Sequence, residues 1–193
     1  MSSQYAWDEA SHFWEPQVLY IACDQSTGLQ YLRLSCGLST FLRRTRESSA
    51  DLEIEAADTT SERANALRRH LTMQHPSLAW SSFQVHPALD ILWLGHFDSL
   101  DEVAGSYGQQ LDNIENVLVQ DDGLWADLQR AAEVLMALGC LRVVYVLVAG
   151  HRAERRGRVQ ELMGRDQVVV KSHGWQIEYI DLNCKSCGTL SYP

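Results

Sequence analysis

A chain of 193 residues, 46% apolar and 21% charged, is long enough for a substantial core and has a globular composition. Its longest charge-free apolar run, VVYVLVAG at 143–150, is far too short to span a bilayer. The net charge of −9 counts against a generic nucleic-acid binder, because phosphate repulsion acts over the whole surface, but it leaves room for a local basic groove.

Taken in chain order, residues 1–16 read as an acidic, mixed arm carrying Trp7, Phe13 and Trp14. It lacks the basic and apolar regions of a signal peptide, so an intracellular location (cytoplasm or nucleus) and no membrane contact are expected. Segments 17–23 and 29–35 are rich in Val, Ile, Leu and Tyr and are joined by DQSTG, which predicts a hairpin. LSTFLRRTRESS then places Leu38, Phe41 and Leu42 on one helical face, with Arg43, Arg44 and Arg46 around the rest. DLEIEAADTT alternates Leu52, Ile54 and Ala56 with acids and predicts a half-buried strand. Thr60 or Ser61 caps an expected helix carrying Ala64, Leu67 and Leu71, ended by Pro76. The predicted order is β-β-α-β-α.

Beyond a boundary placed near Pro87 the texture changes. ALDILWLGHF (88–97) predicts an apolar strand, and SLDEVAGSYGQQLDNIENVLV has a helical period interrupted at Gly105 and Gly108. LWADLQRAAEVLMALG (124–139) is the clearest predicted helix, with Leu124, Leu128, Ala131, Ala132 and Leu135 on one face. LRVVYVLVAG predicts a buried strand. A basic helix at 152–163, a hairpin QVVVK-SHG-WQIEYIDL and a tail at 184–193 complete the chain. Strands separated by helices imply an α/β fold. Residues 88–183 are expected either as a second α/β domain or as an extension of the same sheet.

The opening pattern has a family likeness. Tyr20 in VLYIA and Tyr31 in YLRLS lie eleven residues apart, a basic helix follows, and RRHLTMQHPSLAWSSFQV comes later. Over residues 18–86 this resembles the compact viral and bacterial form of the GIY-YIG nuclease domain. The resemblance implies phosphodiester cleavage, with Tyr20 and Tyr31 near the scissile phosphate and Arg43 or Arg44 stabilising its charge. It also implies a glutamate on the later helix that holds a divalent cation. A hard ion such as magnesium needs an anionic oxygen ligand, and its Lewis acidity lowers the barrier. The sequence departs from the family at this point. No Asp or Glu lies between Ala64 and His75, Arg68 and Arg69 stand near the expected carboxylate, and the second motif lacks its glycine. Cations there repel a metal, and Glu62 substitutes only in a shifted register. The expectation is therefore a degenerate, non-cleaving GIY-YIG-like scaffold that binds a protein partner or nucleic acid, with no cofactor. An active magnesium-dependent nuclease using Tyr20, Tyr31, Arg43 or Arg44 and Glu62 is one alternative. An unrelated α/β interaction protein, in which the two tyrosines are a packing pair, is another.

Other constellations carry less. Only Lys171 and Lys185 are lysines, and the other fourteen cations are arginines. Arginine forks suit phosphate, so Arg43, Arg44, Arg46, Arg68, Arg69, Arg152, Arg155 and Arg156 are the candidate anion or nucleic-acid contacts. The segment AGHRAERRGR, after a buried strand, has a phosphate-site location without the spacing of a phosphate-binding loop. The five cysteines are irregularly spaced, as reduced thiols are. CKSC at 184–187 lacks a second ligand pair, so Cys184 and Cys187 read as thiols in a tail; Cys23, Cys36, His151 or His173 complete a zinc site only if the fold brings them near. Asp90, Asp98, Asp101, Asp112, Glu115, Glu178 and Asp181, with Lys171, match no defensible metal motif. Glu178 and Asp181 suit a strand's outer face. His70 and His75 are expected at the surface of a helix. Six tryptophans are spread over both halves, and exposed ones would mark a partner surface.

Overall fold

A computed structural model describes residues 17–35, 70–94, 97–148, 155–181 and 184–190. The first hairpin pairs β1 (Val18–Cys23) with β2 (Gln30–Ser35) in antiparallel register, Val18 opposite Ser35 and Cys23 opposite Gln30. Its turn is fixed by side-chain chemistry. The Asp24 carboxylate accepts from the Ser26 amide (2.8 Å) and hydroxyl (2.6 Å), and these bonds hold Asp24 below the usual carboxylate range. Gly28, at φ 71°, closes the turn where a side chain would be strained.

Strand β1 also pairs, in parallel, with β5 (Ile91–Leu94). Strands β6 (Asn116–Gln120), β7 (Val143–Leu147) and β8 (Gln176–Asp181) follow in parallel, and β9 (Cys184–Leu190) closes the far end antiparallel to β8. One seven-stranded sheet, in the order β2-β1-β5-β6-β7-β8-β9, therefore holds strands from both sides of Pro87. Residues 184–190, expected in a tail, are its edge strand. A separate two-stranded hairpin pairs β3 (Leu71–Gln74) with β4 (Ser82–Val85).

The five parallel strands lie side by side in chain order. Among the described residues, right-handed crossovers between strands laid down in one direction place the connecting helices on the same face. These helices are α1 (Phe97–Tyr107), α2 (Leu128–Leu135) and α3 (Arg155–His173). Leu92, Leu94, Val117, Val119, Val144, Val146, Ile177 and Tyr179 from the strands share a core with Leu100, Val103, Ala131, Leu135, Val159 and Leu162 from the helices. The alternate residues Val18, Ile91, Leu118, Tyr145, Leu147 and Ile180 form a second buried cluster on the opposite face. Burial on both faces explains why these strands read as unbroken apolar runs.

Three expectations are corrected. Residues 71–74, expected in a helix, form strand β3; alternation buries Met73 and exposes Thr72 and Gln74, and pairing with β4 satisfies the backbone. Residues 167–171, expected as one arm of a hairpin, are the last turns of α3. Their β-branched run looks like a strand, but Val169 and Val170 are buried while Val168 is 68% exposed, a helical period that tertiary burial imposes over local propensity. The helix ends at Gly174, at φ 71°, whose amide donates to the Val170 carbonyl (2.9 Å). The helix expected over 124–139 is a 3₁₀ turn, Leu124–Ala126, followed by α2. Asp127 divides them: it is extended, and its carboxylate caps α2 by accepting from the Arg130 amide (3.1 Å).

The α3 side is locked by a buried carboxylate. Asp166 is 0% exposed and accepts from Trp125 Nε1 (2.7 Å), Tyr179 OH (2.9 Å) and Arg165 Nε (2.6 Å). Arg165 also donates to the Trp125 carbonyl (3.0 Å). Burial, with the Asp166 charge beside it, pushes the Tyr179 hydroxyl well above its ordinary range. Every partner of this carboxylate holds a different element, so the network ties α3, β8 and the 3₁₀ turn together.

Candidate functional site

The two tyrosines singled out in the sequence lie on one face of the sheet. Tyr20 is opposite Arg33 and Tyr31 is opposite Ala22, two positions along the same side of the hairpin. Successive strands align with Tyr20 to make a continuous cross-sheet row: Arg33, Tyr20, Trp93, Leu118, Tyr145 and Glu178. The row grades from exposed Arg33, through half-buried Tyr20 and Trp93, to buried Leu118, Tyr145 and Glu178. The Glu178 carboxylate, expected on an outer face, is instead buried and accepts from Gln176 Nε2 (3.0 Å).

At the β2 end the row meets the β3–β4 hairpin. Trp80, in the loop between those strands, is 62% exposed, and its ring stands edge-on to Tyr31, with centroids 4.9 Å apart at 80°. Leu29, just before β2, is also exposed, as is Arg33. Leu29, Tyr31, Arg33 and Trp80 thus compose a mixed aromatic, aliphatic and cationic surface. Large aromatics are normally buried. This one is held in place and left open.

The loop that carries Trp80 is well anchored. The His75 amide donates to the Ser81 carbonyl (3.1 Å), and the Ser77 amide donates to His75 Nδ1 (3.1 Å). Ser81 Oγ lies 3.2 Å from Tyr107 OH at the end of α1, and that same hydroxyl accepts from the Leu32 amide of β2 (3.1 Å). β2 is the terminal strand of the sheet, so Tyr107 covers a backbone group that would otherwise template strand addition. Gln110 adds a two-way clasp, accepting from the Gln74 amide (2.8 Å) and donating to its carbonyl (3.2 Å). His75, expected at the surface, is 1% exposed and packs against the Tyr107 ring, with centroids 5.5 Å apart; His70 is exposed as expected. The correction has a plain cause: residue 75 closes a strand-to-loop junction and does not sit on a helix.

Among the described residues the other expected site residues are not brought together. Arg43, Arg44, Arg46, Glu62, Arg68, Arg69 and Arg152 lie outside the described residues, and Arg155 and Arg156 begin α3. The acids do separate structural work. Asp90 accepts from the Gln17 and His86 amides (both 2.8 Å), Glu115 pairs with Arg142 (3.5 Å), and Asp101 and Asp112 are exposed. Asp121, after β6, pairs with Arg158 (3.1 Å), which also reaches Glu161 (3.1 Å); these bonds raise the Arg158 guanidinium further. Among the described residues no group of three or more His, Cys, Asp or Glu side chains is placed to hold a metal ion, and Cys23 and Cys140 are free and exposed. No helix of the described residues is long and apolar enough to cross a membrane.

Sequence reasoning flagged Tyr20 and Tyr31 but missed Arg33 and Trp80 as their neighbours, and Ser81 and Tyr107 as the brace of the loop that carries Trp80. The two-residue period of the strand already placed Arg33 beside the tyrosines. No local signal could have brought Tyr107, which is 75 positions from Leu32. No family model, no curated protein and no solved structure matches the chain.

Proposed function

We propose that this protein works by binding, and that its contact surface is formed by Leu29, Tyr31, Arg33 and Trp80, with a protein as the partner. The observation that carries this reading is the exposed Trp80 ring, ordered by its edge-on contact with Tyr31. Trp, Tyr and Arg are the residue types that dominate binding energy at protein interfaces. An ordered aromatic also loses little side-chain entropy when it is covered. The net charge of −9 favours a partner that is not a polyanion. The resemblance to a GIY-YIG domain belongs to this proposal as a scaffold whose tyrosine face is kept for contact, and cleavage is not part of it.

The experiment is affinity capture with the wild-type chain and with Trp80→Ala, both verified as folded by circular dichroism. A partner held by the wild type and lost with Trp80→Ala supports the reading; retention by both overturns it. A second reading is favoured by the adjacency of an aromatic pair and an exposed arginine, which also suits stacked single-stranded nucleic acid. Labelled DNA and RNA incubated with magnesium or manganese separate the cases. Retention that weakens steeply with salt and with Arg33→Ala marks nucleic-acid binding. Cleavage abolished by Tyr20→Phe marks an active nuclease and overturns both binding readings.

A further inference from the structure

We propose that the half-open face between β2 and β5 is a carboxylate-binding site formed by Arg33, Tyr20 and Trp93. Its ligand is an extended segment of the partner in which an acidic residue lies two positions from an apolar one. The choice of a protein as the source rests on the function proposed above, whereas the carboxylate site does not.

The argument starts from three donors that lack an acceptor. Arg33, Tyr20 and Trp93 occupy one row of the sheet, on neighbouring strands about 5 Å apart. The Trp93 indole N–H is buried without a hydrogen-bond partner. Among the described residues, the Tyr20 hydroxyl makes no hydrogen bond and Arg33 makes no ion pair. Buried polar groups of a folded chain are nearly always paired, so an orphaned donor beside two free ones points to a missing acceptor. The carboxylate in this row, Glu178, is three strand spacings from Trp93, roughly 14 Å, and accepts from Gln176. The face is closed over Leu118 and Tyr145 but open at its β2 end, where Arg33 is exposed and Tyr20 half-buried. A ligand therefore reaches Trp93 from the β2 side, past the Tyr20 ring.

One cation and two neutral donors match a monoanion. A guanidinium takes both oxygens of a carboxylate in its fork, while an indole N–H and a phenol O–H donate without adding charge. A phosphate dianion leaves one charge unmatched on a chain of net charge −9, whereas a single carboxylate leaves none. The apolar half of the ligand follows from the neighbouring row. Tyr31, opposite Ala22, lies two residues along β2 from Arg33 on the same face, and Trp80 stands against its ring. Two residues of a strand span about 7 Å. Side chains at i and i+2 of an extended ligand share a face at that same separation. The apolar one then meets Tyr31 and Trp80 as the acidic one meets Arg33.

The test titrates the full chain with the capped peptide Gly-Leu-Ser-Glu-Gly and with its Gln counterpart, following the Trp93 indole N–H by NMR. The Glu peptide should bind at least about tenfold more tightly, the size of one hydrogen bond to a charged group. It alone should move the indole signal downfield. Arg33→Gln, at an exposed position, should abolish the preference, and Tyr20→Phe should reduce it. An indole signal unmoved up to about 10 mM Glu peptide overturns the site. Equal affinity for the two peptides, or a preference intact in Arg33→Gln, does the same. Inorganic phosphate bound more tightly than the Glu peptide overturns the carboxylate assignment, and acetate bound as tightly overturns the peptide as its source. If the Glu preference appears but Trp80→Ala captures partners as the wild type does, the contact surface fails and the carboxylate site stands. If capture needs Trp80 and no Glu preference appears, the carboxylate site fails and the binding reading stands.

Discussion

Two regions of the molecule use the same residue types to opposite ends. Around Asp166 a tryptophan, a tyrosine and an arginine converge on one carboxylate, and Trp125 is 0% exposed with its indole N–H satisfied. At the β2 edge a tryptophan, a tyrosine and an arginine lie together with no carboxylate between them among the described residues, and Trp80 is open. The first arrangement saturates its hydrogen bonds and fastens three elements. The second is braced from below by His75, Ser81 and Tyr107, and keeps its upper side for something else. Polar satisfaction separates a girder from a contact surface. Composition does not.

The contrast can be attacked from either side. Asp166→Ala removes the shared acceptor and strands a buried indole, a phenol and a guanidinium. An expected loss of about 3–5 kcal/mol, read by urea unfolding, follows from breaking a buried charged network. A loss below about 1 kcal/mol would remove the distinction between the regions. Tyr107→Phe leaves the Leu32 amide and Ser81 hydroxyl without their partner, at an expected cost of about 1–3 kcal/mol. Its exchange signature should be confined to β2 and the 75–81 loop. Asp127→Ala, which removes the α2 cap, should cost about 1 kcal/mol.

The alkaline limb tests the Asp166 region independently. The folded Tyr179 hydroxyl holds its proton well beyond the ordinary tyrosine range, while the unfolded chain ionises near the ordinary value. The unfolded state then binds fewer protons, so this contribution is intact below about pH 10 and declines as pH rises further. Tyr179→Phe should flatten that part of the decline in a pH series of unfolding midpoints. Trp80→Ala should move stability least, within about 0.5 kcal/mol, as expected of an exposed side chain. Its effect belongs in partner capture. A large loss of stability would make Trp80 a second Trp125 and erase the comparison.

Much of the architecture was legible before any coordinates. The β1–β2 hairpin follows from two Val/Ile/Leu/Tyr runs around an Asp-Ser-Gly turn, and β7 from an uninterrupted apolar run bounded by turn signals. Where the reading failed, a local pattern was overruled by packing. The segment LTMQ continues a helical stripe from Leu67, but it pays more to pair with SFQV. QVVVK has the residues of a strand, yet two of its valines complete the buried face of a long helix. CKSC has the look of a tail, and the edge of β8 recruits it.

The site divides along the same line. Strand alternation is a property of neighbouring residues, so the common face of Tyr20 and Tyr31 with Arg33 was implicit in one short stretch of chain. The brace beneath Trp80 joins residues from β2, the 75–81 loop and α1. Hydrogen bonds of that reach leave no periodicity in the sequence, because each partner meets the other only after the sheet has assembled. Exposure of Trp80 and burial of His75, five residues apart in one loop, are settled by which side of that loop the sheet edge covers.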